Sequence, residues 1–365
     1  MLAALLSGWA GTAAANEGGG SLFVRGDSDE TVVVAPRVAG NVVFNEERTR
    51  VDASYSADIW TSASIDIRTA ATQPITEQRD QIDLSASHEL DDVTIGGSYY
   101  YSGENDYWSH GFTLRSEQEL FGGSTTFAES VRYVHDVVGR SGDPDFDRPL
   151  DSLTLRASLT QILSPEAIVQ ATWEGTYRNG YQASPYRFVG LGGFCGAMPD
   201  DLQEPTSVAS FCVPESHPTE RFRNAFVLRG RYAFSRDASG GLGYRLYLDD
   251  WGVSSHTAVA QIAWLPEPGH TVTLRYRFYT QTAAAFYRST YEAREDITFV
   301  TRDRELSPMF SNRVALSYGG RAHLTEGVDL KVQVALGGSV FVYQDFVGLD
   351  EVFSLDGTIA ATLEL

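Results

Sequence analysis

The sequence predicts an all-β protein, a closed antiparallel transmembrane β-barrel of about sixteen strands, with fourteen or eighteen as the neighbouring possibilities. Three observations carry this. The first is alternation: between Gly241 and Gln281, Leu242, Tyr244, Leu246 and Leu248 share one parity while Gly243, Arg245, Tyr247 and Asp249 share the other. That is the period of a strand with one apolar and one polar face. His256, Ala258, Ala260, Ile262 and Trp264 repeat it, as do Val272, Leu274, Tyr276 and Phe278. The second is composition. With 18 Tyr, 19 Phe, 6 Trp and 34 Gly, the chain favours strands and turns over helices, and it lacks the run of about eighteen apolar residues that a membrane helix needs. The third is the spacing of connections, which alternate between tight turns and longer loops, as in outer-membrane barrels with turns on the periplasmic side and loops outside.

Taken in order, residues 1–16 read as part of a secretory signal, apolar and then small at Ala13, Ala14 and Ala15, without the positive leading segment. Residues 17–365 are expected to form one barrel domain. A short first strand is expected at Ser21 to Arg25 and a second at Val32 to Phe44. Val51, Ala53, Tyr55 and Ile59 then face out, with Asp52, Ser54 and Asp58 facing in. After a loop from Ser62 to Arg79 the pattern resumes through Ile82 and Leu84, turns at Asp91-Asp92, and continues in pairs to Leu163. Val169, Ala171, Trp173 and Tyr177 mark the next strand. The connection from Gly180 to Thr219 carries five prolines and no alternation, which suits an external loop or a lumen plug. Strands from Arg221 to Ser235, near Met309 to Leu324, near Val328 to Tyr343 and from Val352 to Leu365 complete the set. An even count puts both termini in the periplasm.

The formal net charge is -20, which argues against nucleic acid as a partner, because binding there needs a basic surface. Nearly all basic residues are arginine; Lys331 is the one lysine. Cys195 and Cys212 fall in the same loop. In an exported protein such a pair most often forms a disulfide, stabilising the loop by roughly 3 kcal/mol in the chain-entropy model. A metal there would need more ligands than His217. Asp249 and Asp250, with Asp27 and Asp29 on another loop, are a weak candidate for a hard cation, solvated acidic loops being the commoner case. Trp251, Tyr99, Tyr100, Tyr101, Tyr107 and Trp108 read as interfacial belt residues. No cofactor is expected.

Five segments carry a resemblance: Gly139 to Pro144 (GRSGDP), Leu159 to Pro165 (LTQILSP), Ser184 to Val189 (SPYRFV), Leu248 to Thr257 (LDDWGVSSHT) and Tyr279 to Tyr287 (YTQTAAAFY). With these the chain resembles the DUF3570 family of functionally uncharacterised proteobacterial proteins, from about Thr31 to the C-terminus. The resemblance implies an exported, membrane-embedded β protein and supplies no activity, substrate or catalytic residues.

Function then rests on the inward faces. By parity the C-terminal half turns Arg223, Arg229, Arg231, Arg245, Arg275, Arg277 and Arg313 inward, with Arg221 and Lys331. The N-terminal half turns Asp83, Glu117, Glu119 and Glu174 inward, with Asp52, Asp58 and Glu89. Two walls of opposite charge would give a transverse field that orients charged or dipolar solutes along a wet path. Arg115 and Arg156 interrupt the acidic wall; Asp329, Asp356 and Glu364 interrupt the basic one. The expected function is a porin-like passive or gated channel for small polar or anionic solutes, seated in outer-membrane lipid. The alternative is a plugged barrel that docks an envelope protein partner or assembles as a homo-oligomer. An enzyme is not expected: in Ser109-His110 and Ser255-His256 the two side chains face opposite sides of a strand, and a lipid-acting barrel would need both at the outer rim.

Overall fold

The computed structural model describes residues 16–62, 75–195, 209, 211–293 and 297–365. The expected export segment, apart from Asn16, lies outside them. The strands are β1 (Glu17–Asp27), β2 (Thr31–Phe44), β3 (Thr49–Ser62), β4 (Ile75–Leu90), β5 (Val93–Gly103), β6 (Tyr107–Leu120), β7 (Thr125–Val138), β8 (Arg148–Ser164) and β9 (Ala167–Gly180). They continue as β10 (Phe188–Leu191), β11 (Phe211–Pro214), β12 (Glu220–Ala233), β13 (Ala238–Asp249), β14 (Ser254–Trp264), β15 (His270–Gln281), β16 (Met309–Thr325), β17 (Val328–Tyr343) and β18 (Glu351–Glu364). All but β10 and β11 form one closed barrel, each strand antiparallel to its neighbours, in the order β1-β18-β17-β16-β15-β14-β13-β12-β9-β8-β7-β6-β5-β4-β3-β2. That makes sixteen staves, closed by a β1–β18 seam running from Glu17 opposite Glu364 to Asp27 opposite Ser354. A closed sheet leaves no unpaired strand edge in lipid, which is why β proteins cross membranes as barrels.

The outward parity is apolar and exposed along every stave. Leu114, Leu242, Leu336 and Leu355 stand out most, with Val38, Leu84, Phe226, Ile262 and Ile359 among the rest. This continuous apolar band faces the bilayer; with the even strand number and closure it defines an outer-membrane β-barrel. The first strand is longer than the sequence suggests. Gly18, Gly19 and Gly20 carry no side chain to betray a period, yet backbone pairing with both β2 and β18 holds them extended.

Short turns close the end that holds the termini. Asn45, Glu46 and Glu47 take left-handed backbone, as does Asp91 at the minimal β4–β5 turn, conformations that Asn and Asp tolerate better than most residues. At the other end the connections after β7, β9, β15 and β17 are longer, and several pack together. The loop after β9 contains the β10–β11 hairpin, with Gly190 opposite Cys212, where no strand was expected. Gly180 leaves β9 at φ 133, so close to the Pro149 carbonyl that a Cβ would collide with it; only glycine makes this exit. Trp251 is not a belt residue. It is 5% exposed and centres a loop core with Val253, Ala284, Tyr287, Leu306 and Phe346, because loops from three connections converge on it. Tyr99, Tyr101 and Trp108 do face outward, but Tyr100 and Tyr107 have the opposite parity and face in, with Arg132 lying 5.1 Å over the Tyr100 ring.

Candidate functional site

The chemistry-bearing surface is the inner wall. Strand parity turns Arg221, Arg223, Arg229 and Arg231 of β12, Arg245 of β13, Arg275 and Arg277 of β15, Arg313 and Arg321 of β16 and Lys331 of β17 into the lumen. The register lines several of them up. Arg229 lies opposite Gly243, Gly243 opposite Val259, Val259 opposite Arg277, and Arg277 opposite Arg313. Gly243 and Val259 separate Arg229 from Arg277, while Arg277 and Arg313 are direct neighbours.

Ion pairing divides the wall in two. Arg313 grips Asp356 with both terminal nitrogens, one at 2.7 Å. Arg221 reaches Asp249 at 2.9 Å through Nε. Toward the seam, Arg321 lies 2.9 Å and Lys331 3.2 Å from Glu364, with Lys331 also 2.8 Å from Glu17. The acids that interrupt the basic wall are thus consumed by particular partners. Among the described residues, Arg223, Arg229, Arg231, Arg245, Arg275 and Arg277 enter no ion pair; Arg245 and Arg277 lie 5.7 and 5.5 Å over the rings of Tyr247 and Tyr279. Six of the seven basic residues expected to line the lumen therefore keep unneutralised charge.

The opposite arc is more mixed than the sequence reading had it. Asp83 on β4, Glu117 and Glu119 on β6 and Glu174 on β9 all face in, and Asp83 accepts a hydrogen bond from Gln81 at 2.8 Å. The same arc holds Arg79, paired with Asp58, together with Arg115, Arg132, Arg156 and Arg178. Arg132 and Arg178 sit on the inward parity of β7 and β9, a period-two signal that the sequence itself carries. The basic arc is a coherent field; the acidic arc is a patchwork.

Of the weak cation candidate Asp249 and Asp250, the first carboxylate is already committed to protein partners. Asp249 has a fully buried side chain. Its Oδ2 accepts from Arg221 and from the Tyr247 hydroxyl at 2.8 Å, and its Oδ1 from the Val253 amide at 2.8 Å. Asp250 Oδ1 accepts from the Phe222 amide at 3.0 Å. Asp249 has no oxygen left to converge on an ion, and a carboxylate already matched to a guanidinium gains little from a metal; Asp250, exposed beside it, shares none of these partners.

The lumen meets a cap at its external end. Gln281, at the end of β15, donates to the carbonyls of Glu305 and Ser307 at 2.8 and 2.7 Å, so the Glu305–Ser307 stretch of the following loop lies at the mouth. That loop reaches across to the β1–β2 turn through an Arg304–Asp29 ion pair. It also joins the long β9–β12 connection. Ser216 and Val300 exchange backbone bonds, and the fully buried Glu215 carboxylate accepts from the Thr301 hydroxyl at 2.5 Å and the Ser184 amide at 3.0 Å. Arg187 bridges Glu215 and Asp303 at 3.3 and 3.0 Å. Burial would raise the Glu215 carboxyl, but His217, the Arg187 charge and the Thr301 hydroxyl outweigh it and hold it at about 2. His217 is wedged against Trp251 and Phe286, with ring centroids 5.3 and 5.4 Å away. Cys195 and Cys212 are joined by a disulfide that clips this loop, with Cα atoms 5.8 Å apart. Below the cap, lumenal Ser102, Ser109, Ser255 and Ser354 are buried, whereas Arg115, Glu117, Glu119, Arg229 and Arg231 nearer the other end are exposed. The inner wall is therefore solvent-accessible toward the periplasmic end and packed toward the external cap.

The fold is similar to that of a solved outer-membrane protein. That protein, described as a bacterial polysaccharide outer membrane secretin, superposes with a TM-score of 0.54 at 8% identity, covering 97% of this chain and 100% of its own. CdiB from Acinetobacter baumannii gives 0.48 at 9% identity over 94% of this chain and 60% of its own. The CymD monoaromatic hydrocarbon channel gives 0.44 at 9% identity over 97% and 89%. No curated protein sequence matches. The pattern of one sequence family, described as a protein of unknown function (DUF3570), matches residues 62–150 and 149–340. The chain belongs to the DUF3570 family, and its fold is that of a sixteen-stranded β-barrel of the bacterial outer membrane.

Proposed function

We propose that the protein is a selective diffusion channel for small polar or anionic solutes, with the external cap as its restriction. The observation that carries this is the set of lumenal arginines Arg223, Arg229, Arg231, Arg245, Arg275 and Arg277, which lack carboxylate partners among the described residues. A structural arginine in a barrel interior is normally paired, as Arg313 is with Asp356; leaving a row of them unpaired has an electrostatic cost that a binding or conducting role offsets. Liposome swelling tests it. Vesicles containing the protein should swell faster in an anionic sugar acid such as gluconate than in a cation of similar size. Equal rates, or no swelling above protein-free vesicles, would contradict the proposal.

The interlocked cap favours a second reading, a closed barrel whose external face docks an envelope partner or a second copy. It would give no swelling with either solute while the barrel remained folded.

A further inference from the structure

A cavity of about 100 Å³ opens into the lumen where the two arcs meet, lined by Glu174 and Thr176 of β9, Arg223 and Ala225 of β12, and Arg245 and Tyr247 of β13. Its geometry follows from the register. Glu174 lies opposite Ala225, which lies opposite Tyr247, so a methyl group occupies the position where a larger side chain would close the space. Its charges are left over from neighbouring pairings. Arg223 is the register partner of Asp249, but Asp249 is taken by Arg221 and the Tyr247 hydroxyl. The Nε of Arg223 is consequently buried with no hydrogen-bond partner. Arg245 lies over the Tyr247 ring, and among the described residues the Glu174 carboxylate forms no ion pair, either with these two arginines or with Arg156, its cross-strand neighbour on β8. One unpaired carboxylate and two unpaired guanidinium groups thus surround one cavity.

We propose that this cavity binds small zwitterionic solutes of the amino-acid class, with the solute carboxylate on Arg223 and Arg245 and its ammonium on Glu174. A simple anion such as phosphate would satisfy the arginines but stand beside the Glu174 charge, and a neutral sugar would satisfy neither sign. Only a solute carrying both charges pairs with all three groups, and charged hydrogen bonds are the strong ones. The inference deepens the channel reading and rests on it for a route by which solutes reach the cavity.

Equilibrium binding to the detergent-solubilised full chain, measured by ligand-observed saturation-transfer NMR, tests it without requiring conduction. The probes are glycine, β-alanine and 4-aminobutyrate, which separate the two charges progressively, with propionate and propylammonium as singly charged controls. At least one amino acid should bind about tenfold or more tightly than either control, the smallest change one extra charged hydrogen bond would give. Glu174→Gln should remove that preference while leaving propionate binding in place, and Arg245→Gln should weaken both. Amino acids that bind less than about tenfold better than propionate in the wild type, or a preference that survives Glu174→Gln, would overturn the site. Binding as expected in a protein that does not conduct would contradict the channel alone; conduction without this preference would contradict the site alone.

Discussion

Arg313 and Asp356 meet across an intervening strand. Arg313 is on β16 and Asp356 on β18, and between them lies Gly337 of β17, where a Cβ would meet the guanidinium. The glycine is what lets a side chain cross a whole stave to reach its acid, and the pair neutralises Arg313 beside the unpaired Arg275 and Arg277 of the next strand.

Two substitutions separate these effects. Gly337→Val should displace the guanidinium and strand Asp356, whose side chain is 8% exposed, costing on the order of 3 kcal/mol as a lower midpoint in urea. Asp356→Asn should instead release Arg313 into the lumen. If the arc sets selectivity, the reversal potential in a salt gradient will move toward the anion potential; an unchanged value would remove Arg313 from the selective surface.

The pH dependence of the cap follows from Glu215. Its carboxyl is held at about 2 against an ordinary value of 4.5, so the folded cap binds the proton more weakly than the unfolded loop does. The stabilisation is complete above pH 4.5 and is lost as the pH falls toward 2, an effect on the order of 3 kcal/mol. Protection factors at Val300 and Thr301, exchange rates taken relative to an unstructured peptide at the same pH, should fall through that window and lose this dependence in Glu215→Gln.

The disulfide should act locally. β10 and β11 pair with each other and with no barrel strand, so a Cys195→Ser/Cys212→Ser double variant loses roughly 3 kcal/mol of loop stabilisation in the chain-entropy model without weakening the staves. Faster amide exchange at Val189 and Val213 with an unchanged urea midpoint is the expected result; a lowered midpoint would tie the clip to the barrel.

Closure of the sheet depends on charges at the β1–β18 seam. Lys331 of β17 reaches Glu17 of β1 and Glu364 of β18. Lys331→Ala should lower unfolding stability by about 1 kcal/mol, the modest size reflecting partial exposure. No change in the urea midpoint would mean that backbone pairing alone holds the seam.

Much of this was legible in the sequence because a strand exposes its faces at period two. Parity placed Arg229, Arg245, Arg275 and Glu174 inward, and the structure keeps every one of them there. What parity cannot give is partnership. Nothing local says that Asp356 belongs to Arg313, since that depends on a glycine in the strand between them. Loops carry no period at all, so Trp251 read as an interfacial residue until three connections closed around it, and Asp249 read as a ligand until Arg221 took it. Arg132 and Arg178 were readable and weaken the acidic wall that a partial tally suggested.

On the proposed reading, unpaired arginines give the lumen its selectivity. Planar-bilayer recording under a salt gradient tests it most directly, comparing the wild type with a variant in which Arg229, Arg231, Arg245, Arg275 and Arg277 are all glutamine. The account predicts stable, anion-preferring conductance in the wild type and a reversal potential near zero or of opposite sign in the variant. A folded wild-type barrel that stays silent, or a variant that keeps the anion preference, would contradict it.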